Sequence, residues 1–174
     1  MPAGKAEAKD LGEYLGDELT TLPRKCSAHK AAREIVRLHT NSAGATFNMY
    51  FGDLTGRRLF AVSIFVTRSK IAKGVLLDQK DVEHFIESNY DLLSDPRISV
   101  GTWLDENTGS TYLDIVVSID DETLAIRLGQ EYNQKGIFDL HKGVEIPIGG
   151  KGTFVTGKQE PERLPPLKRG RRRE

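Results

Sequence analysis

The stretch from Arg97 to Ile148 constrains the fold of this chain more than any other part of it. It opens with two segments that flank a Thr108-Gly109 turn, ISVGTWLD and STYLDIVVSI, in which apolar and polar residues partly alternate. A segment with helical periodicity follows, and two short apolar segments, Ile137–Leu140 and Val144–Ile148, close the stretch. Period-two alternation is typical of strands with one buried face. The order strand, turn, strand, helix and closing hairpin predicts an antiparallel sheet covered by helices.

An earlier part of the chain shows the same order of features. Thr46–Phe51 alternates like a strand, Asp53–Gly56 has turn chemistry, and Leu59–Val66 is a mostly apolar second strand. When the two parts of the chain are aligned without gaps, Thr55-Gly56 falls on Thr108-Gly109. We therefore predict an α+β fold, in which two ββα-like units and a short C-terminal hairpin form an antiparallel sheet with helices mainly on one face. A chance likeness between two hairpins is the alternative to a true duplication.

Polar residues at the starts of the predicted helices have a structural explanation. Ser27 is a predicted N-cap for a helix to about Leu38, and Asp78 is one for a helix to Leu93. Acidic residues at 120–122 favour the start of the next helix through its dipole. We expect Asp114, which interrupts an apolar strand, to point away from the core because its neighbours Leu113 and Ile115 alternate with it.

Motifs for cofactors and metals are missing from the sequence. The four histidines are scattered and the chain has one cysteine, Cys26, so neither a zinc-binding pattern nor an internal disulfide is expected. Gly149–Gly152 lacks the spacing of a phosphate-binding loop. We therefore predict no cofactor, no metal and no catalytic residue. A protein without a spanning segment or a secretory signal is expected in the cytoplasm.

The net charge of zero is the sum of a mildly acidic body and a basic C-terminus. We predict a mobile arm at residues 1–24, one domain at 25–152 and a disordered basic tail at 153–174. Clustered cations bind phosphates by releasing counterions, and they also bind acidic protein surfaces. The residues predicted to contact nucleic acid or an acidic partner are Lys168, Arg169, Arg171, Arg172 and Arg173.

One phrase in the chain resembles segments of known proteins. It is EYNQKGIFDL at residues 131–140, followed by Glu145-Ile146-Pro147 and Gly149-Gly150. It is similar to segments in uncharacterised phage and mobile-element proteins, in which a helix ending in Asn-Gln leads to a closing hairpin with an FDL and an EIxxGG motif. The resemblance covers roughly residues 97–152 and implies a viral or horizontally mobile origin. It implies no catalytic residues.

These features favour a non-enzymatic accessory protein of a phage or mobile element. The body would bind a host or virion protein, and the basic tail would add contacts with nucleic acid or an acidic surface; no membrane contact is expected. One alternative is a small enzyme or ligand-binding domain whose pocket is lined by Asp114, Asp139 and Glu145. Another is a virion structural subunit in which residues 1–24 and 153–174 serve as arms.

Overall fold

The computed structural model describes residues 23–74, 76–152 and 160–164. These residues form four α-helices and eight strands. The helices are α1 (Ala28–Ser42), α2 (Gln79–Ser88), α3 (Tyr90–Leu93) and α4 (Glu122–Glu131). The strands are β1 (Gly44–Asn48), β2 (Gly52–Asp53), β3 (Phe60–Val62), β4 (Lys70–Lys73), β5 (Ile98–Asp105), β6 (Ser110–Ile119), β7 (Gly136–Asp139) and β8 (Val144–Pro147). A 3-10 turn at Val66–Arg68 precedes β4. The predicted α+β class is confirmed.

The strands form one antiparallel sheet around the β5–β6 hairpin. The strand order is β2-β1-β5-β6-β3-β7-β8, and β4 also pairs with β6. In the central hairpin the register runs from Ile98 opposite Val117 to Asp105 opposite Ser110. Strand β6 is long enough to pair with two strands along its other edge, β4 beside its first residues and β3 beside its last. The predicted central and closing hairpins are therefore both present.

The predicted hairpin between Thr46–Phe51 and Leu59–Val66 is wrong. Strand β1 pairs with β2 and β5, whereas β3 pairs with β6 and β7, so the two lie on opposite sides of the central hairpin. The chain between β1 and β3 forms a loop and not a tight turn, because Leu54 and Leu59 of this loop are buried against the outer side of the sheet. The pairing of a ββα unit is thus found only in the second half of the proposed duplication.

Side-chain caps fix the starts of the three longer helices. Ser27 accepts a hydrogen bond from the amide of Lys30, Asp78 accepts from Lys80 and Asp81, and Asp121 accepts from Leu124. Helix α1 continues beyond the predicted end and stops where Ala43 adopts a left-handed conformation with φ of 57°. The predicted helix from Asp78 to Leu93 is divided at Asn89 into α2 and α3.

The main core lies between the helices and one face of the sheet, which we call the inner face. Buried apolar side chains of β6 on this face are Leu113, Ile115, Val117 and Ile119, and they pack in one cluster with apolar residues of α1, α2 and α4. The opposite, outer face has a smaller cluster, made of Leu54, Leu59, Ala61, Val116 and Leu140. The prediction of helices on one face is confirmed for the described residues.

Residues 160–164 lie beyond the domain boundary predicted at residue 152, and they contact the domain. Leu164 is 6% exposed and belongs to the main core. Nearby, a carboxylate oxygen of Glu160 accepts a hydrogen bond from the amide of Thr67 at 3.3 Å. Residues 160–164 therefore pack against the domain, because burying Leu164 offsets the cost of ordering the short segment.

Candidate binding surface

The residues predicted to bind a partner at the C-terminus, Lys168, Arg169, Arg171, Arg172 and Arg173, lie outside the described residues. Their role stays a prediction. The predicted arm at residues 1–24 also falls almost wholly outside the described part of the chain.

The three carboxylates considered for a pocket do not share a site. The carboxylate of Asp139 is buried and accepts hydrogen bonds from the amides of His141 and Lys142, so it shapes the turn between β7 and β8. Glu145 is exposed on β8 opposite Phe138, which turns it to the other face of the sheet from Asp139. Asp114 lies on β6, away from this hairpin. Within the described ranges, no three His, Cys, Asp or Glu residues lie close enough to hold a metal ion.

The outer face carries an open aromatic surface at the turn end of the central hairpin. Trp103 on β5 lies opposite Tyr112 on β6, and their rings stack with centroids 4.4 Å apart and planes inclined by 10°. Ile71 on β4 lies opposite Tyr112 on its other side. The side chain of Ile71 is 60% exposed and that of Trp103 is 37% exposed. We call Ile71, Trp103, Tyr112 and Asp114 the aromatic patch.

Glycines leave space beside Trp103. Gly44 on β1 lies opposite Trp103, so the row across the sheet is Ile71, Tyr112, Trp103 and then a residue without a side chain. A Cβ atom built on Gly44 would have only backbone atoms within 4 Å, the carbonyl oxygen of Thr102 at 3.1 Å and Cα of Trp103 at 3.9 Å. Tyr112 therefore covers one side of the indole ring, and the side over Gly44 is free of a neighbouring strand's side chain.

Asp114 lies in the next row of the same face, opposite Gly101. Its carboxylate accepts a hydrogen bond from the indole Nε1 of Trp103 at 3.1 Å and another from the side chain of Ser69. Burial raises the pKa of Asp114, and these two hydrogen bonds oppose that rise only in part. The outward orientation predicted for Asp114 is confirmed, and a half-buried carboxylate without a cation among its described partners stands beside the aromatic rings.

The other end of the outer face is closed. Leu54 and Leu59 cover Val116 there, and the amide of Leu54 donates a hydrogen bond to the carbonyl of Thr46 at 3.0 Å. This loop covers only that end, so Trp103 and Ile71 at the other end of the outer face stay exposed.

Two hollows in the described residues are weaker candidates. A hollow of about 100 Å³ is lined by His39, Thr40, Ala43, Leu76 and Leu104. A groove of about 460 Å³ is lined by Arg68, Asp91, Leu92, Glu162 and Arg163. In the groove Arg68 donates two hydrogen bonds to Asp91, at 3.0 and 2.8 Å, and this pairing lowers the pKa of the carboxyl group. The groove is lined by as many cations as carboxylates, so it has no net charge that would attract a charged ligand.

The sequence contained a signal for part of the aromatic patch that motif reasoning missed. Once the turn at Thr108-Gly109 sets the register, Trp103 must face Tyr112 across the hairpin. Ile71 and Gly44 join the row only through pairings between segments distant in the chain, which the sequence pattern does not reveal.

Comparisons with known proteins give no assignment: no protein-family model, curated protein or solved structure matches the chain. Among the described residues, none of the helices has the length and apolar character needed to cross a membrane.

Proposed function

We propose that the chain is a non-enzymatic accessory protein of a phage or mobile element that acts in the host cytoplasm by binding a protein partner through the aromatic patch. The observation that carries this proposal is the stacked Trp103–Tyr112 pair beside the exposed Ile71. The phage or mobile-element setting is supported by the resemblance of residues 131–150 to such proteins.

The aromatic patch is built on Trp103 and Tyr112, two residue types that favour protein binding. Trp and Tyr dominate the free energy of many protein interfaces because they bury large areas with few rotatable bonds. Trp103 and Tyr112 are already held by their mutual stacking and by the Trp103–Asp114 hydrogen bond. A partner that covers them therefore orders few side chains on binding, and the entropic cost of association is low.

The basic tail supplies the second contact in this proposal. The tail would neutralise phosphates or an acidic surface through Lys168, Arg169, Arg171, Arg172 and Arg173. The affinity should fall as salt is added, because salt screens the charges and reduces the gain from counterion release. A chain lacking residues 168–174 is expected to bind its partner more weakly and with a flatter salt dependence. Equal binding by the shortened chain at every ionic strength would reject a role for the tail.

Capture of partners from nuclease-treated host extract tests the patch. The full chain, Trp103→Ala and Phe138→Ala serve as matched baits, because Phe138 is also exposed, at 40%, and on the outer face but belongs to the distant β7–β8 hairpin. Proteins bound by the full chain and by Phe138→Ala should be lost with Trp103→Ala. Equal capture by all three folded baits, checked by circular dichroism, would exclude the patch as the binding site.

A further inference from the structure

We propose that the aromatic patch recognises an arginine side chain of its protein partner, held between the open face of Trp103 and the carboxylate of Asp114. This inference rests on the proposed function, because it names the chemistry of the partner that the same surface binds. It follows from the geometry of the indole ring, from the charge of the neighbouring Asp114 and from Gly44, which leaves one side of the ring uncovered.

The shape of the site suits a flat group. Tyr112 stacks on one side of Trp103, and Gly44 lies across from its other side, so a flat group has room to lie against the indole there. In the next row, Gly101 lies opposite Asp114 and is covered by Val116, whose Cγ1 would be 2.9 Å from a Cβ atom at Gly101. The space beside the indole is thus bounded by the aromatic face of Trp103 and by the backbone at Gly44. A guanidinium group is planar and stacks on aromatic faces in this way.

Asp114 sets the charge of the site. Asp114 receives its two hydrogen bonds from neutral groups, Trp103 and Ser69, and no described lysine or arginine contributes to its pKa shift. A carboxylate offers about four acceptor positions, so acceptor capacity remains for an incoming donor. Partial burial of a carboxylate without a cation is unfavourable, and a cation that arrives with its partner reduces that cost. The site therefore favours a positively charged ligand.

Arginine fits the site better than a phosphate or a lysine does. A nucleic acid would bring phosphates towards Asp114 and towards Asp105 and Glu106, which lie at the turn of the same hairpin. Like charges at this end of the sheet disfavour that encounter. A lysine ammonium would pair with the carboxylate but has no plane to lie against Trp103. Arginine satisfies both the aromatic face and the carboxylate, and the patch is assigned to an arginine presented by a partner protein.

Emission from Trp103, the single tryptophan of the chain, reports binding directly. The full-length protein is titrated with three capped peptides, Ser-Gly-Arg-Gly-Ser and its counterparts with lysine or with uncharged citrulline at the centre. The arginine peptide should change the emission saturably, and the citrulline peptide should bind about tenfold more weakly, because it lacks the charge. Asp114→Asn, which keeps the size of the side chain and an acceptor for Trp103, should remove the preference for arginine over citrulline.

Three results would overturn the proposal. Equal affinity for arginine and citrulline, or an unchanged preference in Asp114→Asn, would reject arginine recognition. In a full-length variant with Arg169, Arg171, Arg172 and Arg173 replaced by Gln, an altered Trp103 emission without peptide would assign the site to the chain's own arginines instead of a partner's. Wild-type emission in that variant, with peptide preference retained, supports the partner. The capture experiment distinguishes the two proposals. If the partner is lost with the Trp103→Ala bait but retained with the Asp114→Asn bait, the patch is the binding surface but its ligand is not an arginine.

Discussion

His39 shows how a single buried side chain links a helix to the sheet. It lies in the last turn of α1 with 3% of its surface exposed, and its Nδ1 is 2.9 Å from the hydroxyl oxygen of Thr102 on β5. Burial lowers the pKa of His39 below its ordinary value, because the charged imidazolium loses solvation in this position. The neutral ring is therefore the form that the folded state favours.

The pH dependence of stability follows from the sign of this shift. A histidine whose folded pKa is lowered contributes stability fully above the unfolded value of about 6.5, and the contribution is lost as pH falls through the folded value. His39→Gln should therefore lose less unfolding free energy than the wild type between about pH 7.5 and pH 5.5. Urea unfolding followed by circular dichroism measures the difference.

The matched control for this measurement is His84→Gln, because the side chain of His84 is exposed on α2. It changes the number of histidines without altering a buried group. If His39→Gln loses as much stability on acidification as the wild type, burial of His39 does not contribute to the acid sensitivity.

At the scale of single residues, the sequence predicted what depends on near neighbours. Ser27 and Asp78 were identified as caps because a cap bonds amides two or three residues away. The burial of His39 was missed, because its partner Thr102 is distant in the chain. The Trp103–Asp114 hydrogen bond also depends on register, so it could be found only after the turn had been placed.

At the scale of elements, local hairpins and non-local pairings differ in how well they can be predicted. The β5–β6 hairpin follows from its own turn and alternation. The pairing of β1 with β5 and of β3 with β7 does not, because each strand satisfies its hydrogen bonds with a partner far away in sequence. An alternating segment identifies a strand but leaves its neighbour undetermined.

The contact between α4 and the closing hairpin gives a prediction at this scale. Gly129 faces β7, and a Cβ atom at this position would lie 2.9 Å from Cγ2 of Ile137 and 3.2 Å from Cγ1 of Ile148. Both neighbours are β-branched and stiff, so they do not move away easily. Gly129→Ala should destabilise the protein by about 1–2 kcal/mol, although alanine favours helix formation.

Chemical denaturation of Gly129→Ala and of Gln130→Ala separates packing from helix propensity, because Gln130 is exposed on the same helix. Gln130→Ala should change the unfolding free energy by less than about 0.5 kcal/mol. A more stable Gly129→Ala protein would show that α4 does not approach β7 as closely as the structure indicates.

At the scale of the whole molecule, residues 160–164 pack on the domain. The sequence of residues 153–174 has the composition of a tail, yet Leu164 lies in the main core. One buried leucine in a polar segment has no periodicity, so the sequence pattern gave no indication of this contact. Glu162 and Arg163 line the groove together with Arg68 and Asp91.

Leu164→Ala tests this packing. Removing a buried leucine side chain costs about 2–4 kcal/mol, whereas Glu162→Ala, at an exposed position of the same segment, should change stability by less than about 0.5 kcal/mol. Thermal and urea unfolding of both variants provide the measurement. If Leu164→Ala unfolds at the same urea concentration as the wild type, residues 160–164 do not pack on the domain in solution.

Fluorine NMR of the full chain tests the aromatic patch most directly. The chain has one tryptophan, so growth with 5-fluorotryptophan places a single ¹⁹F label at Trp103. Addition of the partner isolated by the capture experiment should shift or broaden this one resonance, because the indole ring passes from partial exposure into an interface. A partner that binds the labelled chain while the resonance stays unchanged would show that the protein recognises it through a different surface.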